Sequence, residues 1–336
     1  MKLDDAPVQA NLLSDADRQL ADGVQAGQRR ALAKAITLIE STRADHQQRA
    51  QQVLGALLPS TGKAIRIGIS GVPGAGKSTF IEALGVWLIE RGHRLAVLAV
   101  DPSSSVSGGS ILGDKTRMEL LSQREEAFIR PSPSAGSLGG VAEKTREAML
   151  LCEAAGYDVI IVETVGVGQS ETTVAGMVDM FCLLQLPNAG DDLQAIKKGI
   201  VEIADMVVIN KADIDKQATA VVRAQWRNAL HMLRPASKNW APPVIALSAL
   251  HKQGIADFWE QVDKFQTSLR STGEFEQKRK HQAQAWMWQL IESGLHQHFR
   301  QHPRVRENLP AFLRSVEEGS TTPAAAAYTL LAYLKH

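Results

Sequence analysis

The chain predicts an α/β fold, a doubly wound, mostly parallel sheet with helical extensions at both ends. Three observations predict it. Short apolar runs alternate with amphipathic stretches from Ala64 to about Leu269, the pattern of strands buried on both faces and covered by helices. The ten residues S-G-V-P-G-A-G-K-S-T, Ser70 to Thr79, close one apolar run and open another, which places a glycine-rich turn between a strand and a helix. Before and after that region the apolar spacing is helical. A length of 336 residues with 44% hydrophobic content is enough for a sizeable core.

Taken in order, residues 1–62 form an N-terminal helical extension. Leu32, Ile36 and Ile39 recur at helical spacing, and Val53, Leu54, Leu57 and Leu58 mark a second segment that stops at Pro59-Ser60-Thr61-Gly62. The sheet domain spans 63–269, with strands expected at Ile65 to Ser70, Leu95 to Val100, Ala127 to Arg130, Val159 to Glu163, Met180 to Leu186, Met206 to Asn210 and Val244 to Leu247. Residues 270–336 return to helix. Met287, Leu290, Ile291 and Gly294 share one face, a further helix runs from about Val305 to Val316 and ends at Gly319, and Thr322-Pro323 open a last one carrying Tyr328, Leu331 and Leu334. Helices with such apolar faces need a surface to pack on, either their own domain or a second subunit. Trp87, Trp226 and Trp259 read as core residues, and Trp286 and Trp288 as core or subunit contacts.

Charge and composition exclude several classes. With 37 basic against 36 acidic residues, net +1, the chain has no dedicated electrostatic surface for nucleic acid or an anionic membrane. No apolar run reaches membrane-spanning length, and the first residues lack the apolar core of a signal peptide, so a soluble cytoplasmic protein is expected. Cys152 and Cys182 lie far apart inside apolar runs and read as buried reduced thiols. His296, His298 and His302 read as a solvated helix face rather than a metal site.

In open α/β sheets ligands bind beyond the C-terminal ends of the strands, and Gly71, Asp101, Glu163, Pro187, Asn210 and Ser248 each close or follow a strand. Gly71, Val72, Pro73, Gly74, Ala75 and Gly76 form a loop whose backbone N–H groups turn inward, and the helix opening at Lys77, Ser78 and Thr79 adds the positive end of its dipole. Anionic oxygens fit there. Lys77 reaches β- and γ-phosphates and Ser78 is placed to ligate Mg²⁺. Asp101 and Glu163 can hold the Mg²⁺ hydration shell or orient water.

Asn210-Lys211-Ala212-Asp213, followed downstream by Ser248-Ala249-Leu250, resembles the guanine-recognition elements of GTPases. An Asp213 carboxylate accepts both N1–H and the exocyclic N2 amine of guanine, whereas adenine lacks that donor pair and would leave a desolvated charge unpaired. By the same resemblance Asn210 supports the base and its loop, Lys211 lies along the purine plane, and the Ala249 N–H meets guanine O6. GTP and GDP, not ATP, are therefore the expected ligands.

Five further stretches, V-D-P-S-S-S from Val100, Gly108 to Met118, Arg130 to Gly140, E-T-V-G-V-G-Q-S-E from Glu163, and Asp191 to Gly199, resemble the MeaB family. This family of dimeric P-loop GTPases includes the methylmalonic aciduria type A protein and bacterial proteins once labelled ArgK. The resemblance covers almost the whole chain. It implies a homodimer formed through the C-terminal arm, and a chaperone that couples GTP hydrolysis to cofactor loading and protection of adenosylcobalamin-dependent methylmalonyl-CoA mutase. It also implies switches at Gly108 to Met118 and Gly166 to Glu171, and a segment over Pro187 to Gly199 that communicates with the mutase. Asn188 and Asp192 depart from the glycine and glutamate expected there.

Hydrolysis requires an in-line water and compensation of developing charge. No positive finger or water-orienting side chain is obvious, so slow intrinsic turnover is expected; Gln169, Glu171, Lys115 and Arg117 are the candidates. Two other functions fit a phosphate loop: an ATP-dependent kinase linked to basic amino acid transport, and a metal-delivery GTPase. Asp213 speaks against the first. The lack of a histidine-rich tract or paired cysteines near the switches speaks against the second.

Overall fold

The computed structural model describes residues 13–100, 118–131, 138–164, 170–187, 198–233 and 237–335. Among the described residues seven strands form one sheet: β1 (Ile65–Gly71), β2 (Leu95–Val100), β3 (Ala127–Pro131), β4 (Val159–Thr164), β5 (Met180–Gln185), β6 (Met206–Ile209) and β7 (Val244–Ala246). Their order is β3-β2-β4-β1-β5-β6-β7 and every pairing is parallel. Each strand lies within a residue or so of its expected position, because continuous apolar runs bounded by turn residues have few other ways to be buried on both faces. The doubly wound parallel sheet is therefore as the sequence predicts.

The register is pinned by a device that the apolar pattern does not announce. An aspartate stands immediately before each of β4, β5 and β6, and its carboxylate accepts a backbone N–H near the start of a neighbouring strand. Asp158 Oδ1 takes that of Arg94 at 2.7 Å, Asp179 Oδ2 that of Arg66 at 2.8 Å and Asp205 Oδ2 that of Phe181 at 2.9 Å. Each satisfies a donor at the strand ends remote from the ligand edge.

One face of the sheet packs on α4 (Lys77–Ile89), α5 (Glu119–Ser122) and α10 (Ile255–Ser271), through Phe80, Leu84, Leu121, Phe258 and Phe265. The rings of Phe80 and Phe258 meet edge to face, 4.9 Å apart. The opposite face is covered by α6 (Leu138–Ala154), α7 (Ser170–Ala175), α8 (Lys198–Glu202) and α9 (Lys216–Met232), with Trp226 fully buried.

Three N-terminal helices, α1 (Asp15–Gln25), α2 (Arg29–Glu40) and α3 (Ala44–Leu57), pack on α6 and share this second core through Leu32, Ile36, Ile39, Val53 and Leu57. Polar links reinforce the attachment. Ser14 caps α1, and buried Asp17 accepts hydrogen bonds from Nε and Nη2 of Arg49 in α3. Arg130, closing on the end of β3, pairs with Glu40 of α2. Leu58, expected on the helix face, is 57% exposed: α3 ends at Leu57 and the chain turns into a short 3₁₀ segment containing Pro59.

The chain divides into two compact units, 1–276 and 277–336, with the division inside α11 (Glu274–Gln301). Within the second unit, α12 (Pro303–Glu317) packs with α13 (Pro323–Ala332). Thr322 caps α13 by accepting the Ala325 N–H at 3.2 Å. Ala326 and Leu330 form the buried side of α13, while Tyr328 and Leu331 face outward, as do Met287, Trp288, Ile291 and Leu295 of α11. Of the tryptophans expected in the core, Trp226 is there. Trp87 is half-buried beneath the Arg91 guanidinium, 3.6 Å from its ring, and Trp259 is half-buried near His93. Both cysteines are free and buried, and burial pushes the Cys152 thiol far up.

Candidate functional site

The phosphate loop is shaped by what its glycines cannot carry. Gly71 closes β1 with φ 150°, and a Cβ there would stand 2.3 Å from the Leu184 carbonyl oxygen of β5. Gly76, with φ 82°, caps α4, and its Cβ would stand 2.8 Å from Asn210 Nδ2. A side chain at either position would push the loop off its neighbours. Lys77 opens α4, and its ammonium donates to the Gly71 carbonyl at 2.8 Å and the Val72 carbonyl at 3.5 Å, which holds its charge over the loop. Pro73, Gly74 and Thr79 are exposed around the same concavity, Val72 is half-buried, and Ala75 is buried beneath it.

The hub of the site is Asn210, 1% exposed, immediately after β6. Its Nδ2 donates to the Ala75 carbonyl at 2.8 Å and lies 3.5 Å from that of Gly76. Its Oδ1 accepts the N–H of Lys211 at 2.8 Å and that of Ala249 at 3.0 Å. One carboxamide thus ties the phosphate loop, the turn after β6 and the loop after β7 to one another. The Ala249 N–H, expected on guanine O6, is engaged by Asn210 in this structure. Lys211 has φ 60°, a conformation that lysine adopts only when its surroundings impose it. Here the bond from its N–H to Asn210 imposes it, and the Lys211 Cε lies 3.7 Å from the Cβ position of Gly76, so the stem runs beside the phosphate loop.

Asp213 stands at the exposed rim. The Ser248 hydroxyl hydrogen-bonds its carboxylate and, with smaller contributions from His251 and Lys211, holds the carboxyl below its usual range. His251 Nε2 lies 3.6 Å from Asp213 Oδ2, and the His251 N–H donates to Ser248 Oγ at 3.3 Å. The lowered carboxyl makes Asp213 an anion at neutral pH, at an exposed position.

At the other end of the phosphate loop, Ser78 Oγ donates to Glu163 Oε1 at 3.2 Å. Glu163 is 4% exposed near the end of β4. A hydroxyl and a carboxylate converging beside a phosphate loop are an oxygen-only donor pair that suits a hard divalent cation. Next to them, Thr164 Oγ1 donates to Ser70 Oγ at 2.8 Å. Asp101 and Gln169 lie outside the described residues, as do Lys115, Arg117, Asn188 and Asp192. Among the described residues no group of three His, Cys, Asp or Glu side chains is arranged for a metal, and no helix is long and apolar enough to cross a membrane.

Sequence reasoning placed Gly71, Lys77, Ser78, Glu163, Asn210, Lys211, Asp213, Ser248 and Ala249, and the structure brings all of them to the C-terminal edge of one sheet. The tie from Asn210 to the phosphate loop is new with the structure. Only the excess of polar residues at strand ends hints at it.

The chain is similar to known proteins over most of its length. The model of the family described as "Methylmalonyl Co-A mutase-associated GTPase MeaB" matches residues 32–304. A protein of Caulobacter vibrioides named as a GTPase is 56% identical over 91% of this chain and 94% of its own. A mouse protein named methylmalonic aciduria type A homolog, mitochondrial, is 49% identical over 96% of this chain and 81% of its own. A crystal structure described as a LAO/AO transport system kinase superposes with a TM-score of 0.77 at 39% identity, covering 97% of this chain and all of that one. With the family model matching most of the chain and a relative 56% identical over 91% of it, this chain belongs to the MeaB family of GTPases.

Proposed function

We propose that this GTPase is a chaperone of an adenosylcobalamin-dependent methylmalonyl-CoA mutase, regulating cofactor loading and protecting the loaded enzyme. The observation that carries this reading is the family model's match across residues 32–304, under a description that names the mutase. The mouse relative's name points the same way. In this reading 270–336 is a dimerisation arm on the sheet domain, and its outward Met287, Trp288, Ile291 and Leu331 are the surface of a homodimer.

Each residue at the sheet edge has a defined task. The loop from Gly71 to Gly76 and the start of α4 bind β- and γ-phosphate oxygens through N–H groups, and Lys77 exchanges its bond to the Gly71 carbonyl for the phosphates. Asp213 accepts the N1–H and N2 amine of guanine, and Asn210 keeps that reader at a fixed distance from the phosphate loop. Ser78, Glu163 and, from the sequence, Asp101 would hold Mg²⁺, which when bound neutralises charge on the phosphates. Gln169, also a reading from sequence, would orient water. With no positive finger assigned, turnover is slow until a partner orders the site.

The ATP-dependent kinase reading is favoured only by the word kinase in what the structural relative is called. Asp213 opposes it, since an ionised carboxylate would face the acceptor N1 of adenine. The experiment is affinity capture from cell extract on immobilised full-length protein, once with a non-hydrolysable GTP analogue and once with GDP, read by mass spectrometry. Recovery of an acyl-CoA mutase supports the chaperone role, and its absence in both states overturns it. Tighter binding of ATP than GTP would favour the kinase.

A further inference from the structure

Residues 248–253, between β7 and α10, close on themselves. The Ser248 and Gln253 backbones exchange both of their N–H bonds to carbonyls at 3.0 Å, and the Lys252 N–H donates to the Ala249 carbonyl at 3.2 Å. Lys252 takes φ 55°, the left-handed conformation that reverses the chain there. Asn210 fixes this turn to the one after β6 through the Ala249 N–H, and the Ala212 N–H, donating to the Leu247 carbonyl at 3.1 Å, ties the two a second time. The His251 N–H donates to Ser248 Oγ, whose own hydroxyl is bonded to the Asp213 carboxylate. The imidazole is thus carried on a firm support to Asp213, with its Nε2 3.6 Å from Oδ2.

That separation is too long for a hydrogen bond and short enough for an ion pair. A neutral imidazole at this distance leaves Oδ2 free to accept from a base, whereas an imidazolium is drawn onto it. The charged residues of the surrounding elements are Lys211, Asp213 and Asp215 after β6, Lys252 in the turn itself and Asp257 in the first turn of α10. Asp215 caps α9 by accepting the Ala218 N–H at 2.9 Å, and Lys211 already acts on Asp213. Among the described residues Asp213 is the one in ion-pair contact with His251. Bonds from the N1–H and N2 amine of guanine to a carboxylate are strong because the acceptor is charged, and a second cation beside the same oxygens takes that advantage away.

We infer that His251 is an affinity-determining residue of the guanine site: as a neutral imidazole it leaves Asp213 to the base, and as an imidazolium it competes with the base for the same carboxylate. This role rests on the reading of Asp213 as the guanine acceptor. The imidazolium holds Asp213 more tightly without the base than with it, so guanine binding drives the proton off and the proton opposes guanine in equal measure. Affinity is therefore full where imidazole is neutral and falls as pH drops through the range in which imidazole gains its charge.

The test uses full-length protein, His251→Gln and His251→Arg. GDP affinity is measured by competition against a fluorescent nucleotide at about pH 8 and about pH 5.5, on either side of the imidazole range. Acid also protonates the terminal phosphate, so each affinity is read relative to His251→Gln, which shares that change and keeps a neutral side chain. Wild type should match the glutamine variant within about twofold at the higher pH and bind GDP about fivefold more weakly than it at the lower, the upper end of what an exposed ion pair is worth. His251→Arg, charged throughout, should be weaker than the glutamine variant by about the same factor at both. Calorimetry of GDP binding at about pH 6, in buffers of different ionisation enthalpy, should show wild type releasing more protons than the glutamine variant. Parallel affinity profiles for wild type and His251→Gln overturn the inference. Tighter binding by wild type in acid, from attraction of the imidazolium to the phosphates, overturns it as well. If wild type binds GDP at neither pH, the guanine-site reading itself fails, and this role falls with it.

Discussion

Replacing Asn210 with alanine should damage stability and nucleotide binding together, by an amount set by what its carboxamide satisfies. Its Nδ2 serves the carbonyl of Ala75, which is fully buried, and its Oδ1 serves the N–H of Ala249, 3% exposed, and that of Lys211. After truncation the first two groups remain buried without a side-chain partner, at about 1–3 kcal/mol each. The left-handed turn at Lys211 loses its tether as well, and holding a non-glycine residue there costs on the order of 1 kcal/mol. The sum is about 3–7 kcal/mol, a large share of the total stability of an ordinary domain. Urea unfolding followed by circular dichroism measures it, and titration with a fluorescent GDP gives the accompanying loss of affinity. Asn210→Asp keeps an acceptor for both N–H groups but turns a carboxylate oxygen toward the Ala75 carbonyl, so it should fall between wild type and alanine in stability. A loss below about 1 kcal/mol with unchanged GDP affinity for Asn210→Ala would refute the assignment of Asn210 as the tie between the loops.

Lys77→Ala should abolish tight GTP binding while leaving the fold intact, since the ammonium donates to carbonyls of the loop itself; calorimetry with GTP and a melting curve check both halves. Asp213→Asn should lower GTP affinity by on the order of 10²-fold and raise that for xanthosine triphosphate, measured by competition against a fluorescent nucleotide. Gly71→Ala places a methyl 2.3 Å from the Leu184 carbonyl and should cost about 3 kcal/mol or more, read from its denaturation midpoint. Asp17, whose carboxyl is held below 3.8 chiefly by its hydrogen bond from Arg49, contributes stability that is complete above that value and is lost as pH falls through the folded one. Asp17→Asn should therefore be less stable than wild type at neutral pH and converge with it once the pH has fallen through the folded value, in unfolding curves recorded across the acid range.

The fold was legible because it is written locally. Val159 to Thr164 and Met180 to Gln185 are apolar runs with a turn on either side, and the glycines of the phosphate loop stand where the backbone geometry demands them. The placement of the candidate site was legible to the same depth, since Lys77, Ser78 and Asp213, expected on phosphate, metal and guanine, each follow a strand or open a helix at one edge of the sheet. What stayed hidden depends on distance in three dimensions. Nothing near Asn210 in sequence announces that its donor goes to Ala75, 135 positions earlier. The aspartates before β4, β5 and β6 are conspicuous only after the N–H groups they accept are seen on neighbouring strands. In the tail, apolar spacing named Tyr328 and Leu331, yet the buried side of α13 is the one with Ala326 and Leu330. On a helix this apolar, periodicity does not choose between faces, and a small residue facing α12 does.

The attachment of α1 to α3 onto α6 has a consequence for synthesis. The first 57 residues leave the ribosome before the surface that shelters them exists, because α6 is complete only at Ala154. For roughly a hundred residues of elongation, some 5–20 seconds at ordinary rates, Leu32, Ile36, Ile39 and Val53 must be kept from other chains by something other than their final neighbours. Slowing translation between these points should therefore increase aggregation of the nascent protein, while slowing it after residue 154 should not.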